Sequence, residues 1–568
     1  MDNNTGKALK TQMINMDPYG IFSSSMAVQR AWFNHPRELS EELTKLAVEI
    51  WSLEEWQAFT GSGKQGDLFP VISFDERFQY RFWEENPFFD TIKESYLLYT
   101  RWLEDAIYET PDLSDKEKRK AGFWARQMLN AMAPTNFFWT NPEAIVKALE
   151  TNGTSLIDGW RNFLTDVERG TVSMVKEDAF EVGKDLATTP GAVVYRNELM
   201  ELIQYKPTTK TVHAIPIVIV TPWINKYYIL DLKEQKSMVK YLVDQGYTVF
   251  ITSWKNPGSD MRDTTLDDYM LKGALEAVNV AREICDAPHV HLAGYCIGGT
   301  IVSALMAWLN HPDSGYKKGK DFPVAHWTLL ASLVEFSNPG CIDVFIDENA
   351  IQAVEKLMEE KGYLDGQDMA MSFRMLRSNS LIWHYFVHNY LYGEEPEDFD
   401  VLFWNMDTTR MPEAMHKFYL RELYLNNRLA KKDDLTVGGL TIDLERIQQP
   451  LYSVGTEQDH IVPWKESFKT IDLIGGSARY VLATSGHILG IVSPPVEPPK
   501  RRYWVSDVKK GIEADHWLET TEKVPGSWWE DWTAWLKPQC GKKQKSPALG
   551  GKTYSVLADA PGTYVLEK

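Results

Sequence analysis

The residue best placed to do covalent chemistry is Cys296, set in Gly294-Tyr295-Cys296-Ile297-Gly298-Gly299. The pattern G-x-C-x-G-G puts cysteine where the strand–turn–helix nucleophile motif G-x-S-x-G carries serine. The glycines are needed because the chain reverses so sharply that side chains beside the nucleophile would collide. The turn lifts the sulfur to the start of a helix, where partial positive charge favours a thiolate. The N–H of Ile297 then points to where an attacked carbonyl oxygen gains charge. A buried structural cysteine in a glycine turn is the competing reading.

A thiol nucleophile needs a base, and the base needs an orienting group. VGTEQDHIVPW places Asp459 just past one apolar run, and ATSGHILG places His487 just past the next. The order nucleophile, acid, histidine is a known triad order. His460, beside Asp459, is the competing imidazole; it is expected to buttress the loop while His487 serves as base. A turn-capping carboxylate is the alternative for Asp459. The loop after the first apolar run, Thr221-Pro222-Trp223-Ile224-Asn225-Lys226, supplies a second oxyanion N–H, with Ile224 the first candidate and Trp223 the next. Cys285, Cys341 and Cys540 lack such settings, and no CxxC pair is present. Neither a metal site nor a cofactor is expected.

Apolar runs of strand length alternate with helical patterns after about residue 195. The runs are AIPIVIVTPW, YTVFITSW, HVHLAGYC, AHWTLLAS, PLYSVGTEQD and ARYVLATSGH. Such alternation indicates βαβ units and a parallel sheet. Between residues 333 and 446 it breaks into helical or irregular segments, an insertion expected to cap the C-terminal strand ends where open α/β sheets hold their sites. Upstream, DTIKESYLLYTRWLEDAIY and residues 116–133 have helical periodicity, Asn141-Pro142 opens a helix and Gly153 stops one. With the cysteine turn, this predicts an α/β-hydrolase fold with a mostly parallel sheet and a large helical cap insertion. A mainly helical N-terminal domain is assigned to 1–195 and the catalytic domain to 196–568.

At 568 residues the chain exceeds one ordinary core, so two domains are expected. A net charge of -19 argues against a nucleic-acid partner. The 21 tryptophans fit large cores or an apolar-facing surface. The first twenty residues show no secretory signal, and no apolar stretch is long enough to span a bilayer. With four cysteines, a cytoplasmic location is expected.

The separated segments PWINKYYILDL, QGYTVFITSWKNP, GYCIGG, FWNMDTTRMPEAMHKFYLRELYLNN, EQDHIVPW, SGHILGIVSPP and PGSWWEDW carry a further signal. Through them the chain resembles the polyhydroxyalkanoate (poly-3-hydroxybutyrate) synthases, most closely the single-subunit class I. The resemblance covers nearly the whole chain, and the family's catalytic cysteine, aspartate and histidine fall on Cys296, Asp459 and His487. It implies polymerisation of (R)-3-hydroxyacyl-CoA, with 3-hydroxybutyryl-CoA the expected monomer, through an acyl-cysteine and release of CoA. The CoA thioester is then substrate, not cofactor. It further implies a homodimer at the granule surface, in contact with the growing polyester and with granule-associated proteins. Whether Asp459 orients His487 or activates the 3-hydroxyl directly stays open. A cysteine thioesterase or esterase, and a non-catalytic granule-surface protein, are the alternatives.

Overall fold

The six apolar runs become six neighbouring parallel strands at the centre of one twisted sheet. In the computed structural model of the chain, residues 17–60, 75–316, 319 and 322–568 are described. Residues 1–16, read above as free of a secretory signal, lie outside them. In chain order the sheet comprises β1 (Gly191–Arg196), β2 (Met200–Tyr205), β3 (Ile217–Val220), β4 (Val249–Trp254), β5 (Val290–Tyr295) and β6 (Val324–Leu330). It continues with β7 (Leu451–Thr456), β8 (Ala478–Ala483), β9 (Arg502–Val508), β10 (Lys523–Pro525) and β11 (Ala558–Asp559). The spatial order is β10-β9-β8-β7-β6-β5-β3-β4-β2-β1-β11. Strands β3 to β8 pair in parallel, while the flanking strands on both sides are antiparallel.

The central strands are buried along their length, as β-branched runs covered on both faces must be. Trp528, Trp529 and Trp532 of the helix Trp528–Leu536 complete a core that also holds Val249, Ala293, Val454 and Val481. Several tryptophans are thus core residues, whereas Trp139 and Trp160 are exposed.

By internal contacts the chain divides into two compact units. One takes the chain through Lys176 together with Glu348–Ala350 and Met371–Asp398; the other takes Glu177–Asp347, Ile351–Ala370 and Phe399–Lys568. The expected boundary at residue 195 therefore runs through β1. The short β1–β2 hairpin precedes the first long apolar run, so periodicity set the division too late. The insertion at 333–446 also divides, with Met371–Asp398 grouping with the helical unit. There Asn162 donates to the Asn389 carbonyl at 3.0 Å, Tyr390 donates to Asp166 at 2.7 Å, and Gly159 lies against the Tyr390 backbone.

The helical unit contains α1 (Pro87–Tyr108), α2 (Asp115–Ala131), α3 (Pro142–Glu150) and α4 (Thr154–Arg169). Asn141 caps α3, its Oδ1 accepting the N–H groups of Glu143 at 3.0 Å and Ala144 at 3.1 Å. Gly153 takes the left-handed conformation, φ 83°, that separates α3 from α4. Among the described residues no helix is long and apolar enough to cross a membrane.

Candidate active site

Strand β5 ends at Tyr295 and the helix α5 (Ile297–Leu309) begins at Ile297, leaving Cys296 alone to turn the chain. Its φ of 53° and ψ of -126° lie where a residue with a Cβ is strained. Such a conformation costs about 1–3 kcal/mol and persists only when its surroundings enforce it. The Cys296 N–H, donated to the Leu330 carbonyl at 2.9 Å, supplies part of that enforcement. A Cβ on Gly294 would overlap the Cα of Gly299, and one on Gly298 would overlap the carbonyl oxygen of Val220. The glycine spacing is thus a packing requirement of the turn.

Strand β3 runs beside β5 with Val220 level with Gly294, so the loop Thr221–Ile224 leaves the sheet next to the cysteine turn. The N–H groups of Ile297, Trp223 and Ile224 meet no hydrogen-bond acceptor among the described residues. They remain the available donors for an oxyanion.

Asp459 follows β7 and His487 follows β8, neighbouring parallel strands whose ends bring the two side chains together. His487 Nδ1 lies 2.7 Å from Asp459 Oδ2. Asp459 Oδ1 accepts the N–H groups of Ile461 at 2.9 Å and Val462 at 2.8 Å, and Oδ2 accepts the Thr456 hydroxyl at 2.9 Å. Burial alone would raise this carboxyl's pKa, but His487 and these donors hold it below the ordinary value. His487 is buried too. Burial disfavours its charge, yet Asp459 and Cys296 outweigh that and hold its pKa well above the usual imidazole value. Its second electrostatic neighbour is the Cys296 side chain. Tyr295 backs the imidazole, the two rings stacked with centroids 5.7 Å apart.

His460 is half-buried, and its carbonyl oxygen lies against Gly340. The Asp459 side chain, one residue earlier, turns to His487 and to the N–H groups ahead of it.

Two residues escaped the sequence reading. Tyr419 and Tyr424 lie on a π-helical segment, Tyr419–Leu425, within the insertion. Tyr424 is buried and Tyr419 half-buried. Burial first raises both pKa values, Tyr424 then adds to the rise at Tyr419, and Cys296 contributes electrostatically to each. The five-residue spacing is the signal: in a π-helix, whose hydrogen bonds run i to i+5, it places both rings on one side. Their centroids are 5.0 Å apart and Phe336 packs on each.

The sheet, the strained turn and the imidazole–carboxylate pair define a member of the α/β-hydrolase fold class with cysteine at the nucleophile turn. A model of that fold matches residues 216–314. The model described as "Poly-beta-hydroxybutyrate polymerase (PhaC) N-terminus" matches residues 74–242. The chain is 41% identical to the poly(3-hydroxyalkanoate) polymerase of Methylorubrum extorquens over 95% of this chain and 89% of that one. It is 41% identical to the polymerase subunit of Cupriavidus necator over 90% of this chain and 86% of that one. For the Rhizobium etli subunit the identity is 38% over 95% of this chain and 85% of the relative. This chain belongs to the poly(3-hydroxyalkanoate) polymerase family.

Proposed function

We propose that this chain polymerises (R)-3-hydroxyacyl-CoA, with 3-hydroxybutyryl-CoA as the monomer, by acyl transfer through Cys296. The observation that carries the reading is an imidazole paired with a carboxylate 2.7 Å away and in electrostatic contact with the sulfur at the strained turn. His487 takes the thiol proton, and the sulfur attacks the thioester carbonyl. The Ile297 N–H with that of Ile224 or Trp223 receives the oxyanion, the carbon–sulfur bond to CoA breaks, and the imidazolium proton leaves with the CoA thiol. In the second half, His487 takes a proton from a 3-hydroxyl, whose oxygen displaces Cys296 and forms the ester. Thiolate is both good nucleophile and good leaving group, which suits repeated exchange.

Asp459 orients His487 in this scheme. Its two oxygens already engage the imidazole, a hydroxyl and two N–H groups. That leaves little accepting capacity for a substrate hydroxyl.

The chain acts as a cytoplasmic homodimer at the polymer surface, with the thioester as substrate and no cofactor. An apolar stripe on α4 supports the surface attachment: Ile157, Trp160, Leu164 and Val167 are exposed at helical spacing, with Trp139 and Leu149 exposed in the preceding segments.

The test is incubation with 3-hydroxybutyryl-CoA. Insoluble polyester accompanied by one CoA per monomer is expected. Free 3-hydroxybutyrate with CoA would make water the acceptor and the chain a thioesterase; no CoA release would leave a non-catalytic surface protein.

A further inference from the structure

Lys226 lies two residues beyond Ile224 and is only 3% exposed. An ammonium taken out of water is costly unless acceptors replace its hydration. Here Nζ donates to two main-chain carbonyls far along the chain, that of Val565 at 3.0 Å and that of Glu567 at 2.5 Å. Burial lowers the pKa of this lysine, while the carboxylates of Asp407 and Glu567 counter the effect.

The segment that Lys226 grips is itself fixed. The buried Glu201 carboxylate on β2 accepts the N–H groups of Thr563 at 2.9 Å and Tyr564 at 3.0 Å. Glu567 Oε2 accepts the Asn256 N–H at 3.1 Å, just past the end of β4. On its other side the Trp223–Lys226 loop meets the insertion. Thr409 donates its hydroxyl to the Trp223 carbonyl at 3.1 Å, Asn225 bridges to Thr408, and the Trp404 indole donates to the Lys226 carbonyl at 2.7 Å. A loop without regular structure is thereby held between two anchored walls, and among the described residues the lysine is the only side chain of Trp223–Lys226 that makes a hydrogen bond.

We infer that Lys226 is a positioning residue for the oxyanion loop, keeping the Trp223 and Ile224 peptides beside the cysteine turn by clamping them to the Val565–Glu567 segment. The inference rests on the reading of Cys296 as nucleophile. Oxyanion donors act only when placed within hydrogen-bond reach of the developing charge. A displacement of about 1 Å can cost on the order of a hundredfold in rate.

The experiment compares two reactions of the same sulfur in the full chain. Acylation is followed as rapid-mix CoA release from 3-hydroxybutyryl-CoA, and alkylation as labelling of Cys296 by iodoacetamide, read by mass spectrometry. Alkylation forms no oxyanion. Lys226→Met is expected to slow acylation about ten- to a hundredfold, with KM little changed and alkylation at the wild-type rate. Lys226→Arg should recover part of the loss. Glu567→Ala, which frees one end of the gripped segment, should show a smaller loss in the same direction and carries the comparison if Lys226→Met fails to fold. Acylation at the wild-type rate in these variants, or acylation and alkylation falling in equal proportion, overturns the inference. A Cys296→Ala chain that still releases CoA at the wild-type rate would instead overturn the nucleophile reading.

Discussion

Strand β5 carries an enclosed imidazole site near each end, and the two behave in opposite ways. At its C-terminal end His487 lies between Asp459 and Cys296, and its pKa stands well above the ordinary value. Near the other end His291 Nδ1 faces His326 Nδ1 of β6 at 2.6 Å, with Thr328 on its far nitrogen at 3.0 Å. Burial and the neighbouring imidazole drive His291 well below the ordinary value, and burial brings His326 down to about 4. Both sites exclude water to a similar degree. What separates them is a carboxylate. A buried imidazole without an anion stays neutral and serves packing; the same ring beside Asp459 can take and hold a proton.

The largest effect expected from breaking this contrast is at the sulfur. Cys296→Ala should reduce CoA release and polymer formation by about a thousandfold or more, with an unchanged circular dichroism spectrum. Next is the anion. Asp459→Asn keeps the shape but removes the charge that supports the His487 proton, and should lower the polymerisation rate about a hundred- to ten-thousandfold. The alkylation rate of Cys296 should fall with it, because the imidazolium is no longer stabilised. A variant polymerising within about threefold of wild type would remove Asp459 from the base pair. At the opposite end, His291→Phe should leave the rate per active site unchanged and cost about 1–3 kcal/mol of stability, since His326 loses its partner. Denaturant midpoints and active-site titration by thiol labelling separate those two outcomes.

The two ends of β5 also differ in how far they could be anticipated from residue order. Cys296, Asp459 and His487 each stand just past an apolar run, and glycine spacing marks the turn, so local pattern located them. The six parallel strands were legible for a similar reason: apolar runs of strand length alternate with helical patterns. Strands β1, β2 and β9 were not, because charged and polar residues break up their apolar runs, and β10 and β11, of three and two residues, are too short to stand out. Tyr419 and Tyr424 were hidden by helix type, since five-residue spacing joins residues only in a π-turn. The Lys226 clamp was hidden by distance, its acceptors lying 339 and 341 positions away. Local chemistry is written locally; what restrains it is assembled from the far end of the chain.

The smallest expected effect tests the electrostatic half of the contrast without any substitution. A histidine whose folded pKa lies below its unfolded value binds protons more readily when unfolded. Its contribution to stability is therefore full above an unfolded pKa of about 6.5 and is lost as pH falls toward the folded value, which for His326 is about 4. His487, raised instead, contributes stability that is fully present below about pH 6.5 and lost only as pH rises through its folded pKa. Across the window from about 6.5 to 4, His326 should thus contribute about 1 kcal/mol per pH unit to the slope of stability. Urea midpoints measured at intervals through this window in wild type and in His326→Gln give the test. The wild-type slope should exceed that of the variant, which has one buried imidazole fewer to protonate on unfolding. Equal slopes would mean that the His291–His326 pair already carries a proton in the folded chain, and the distinction drawn between the two ends of β5 would no longer rest on charge.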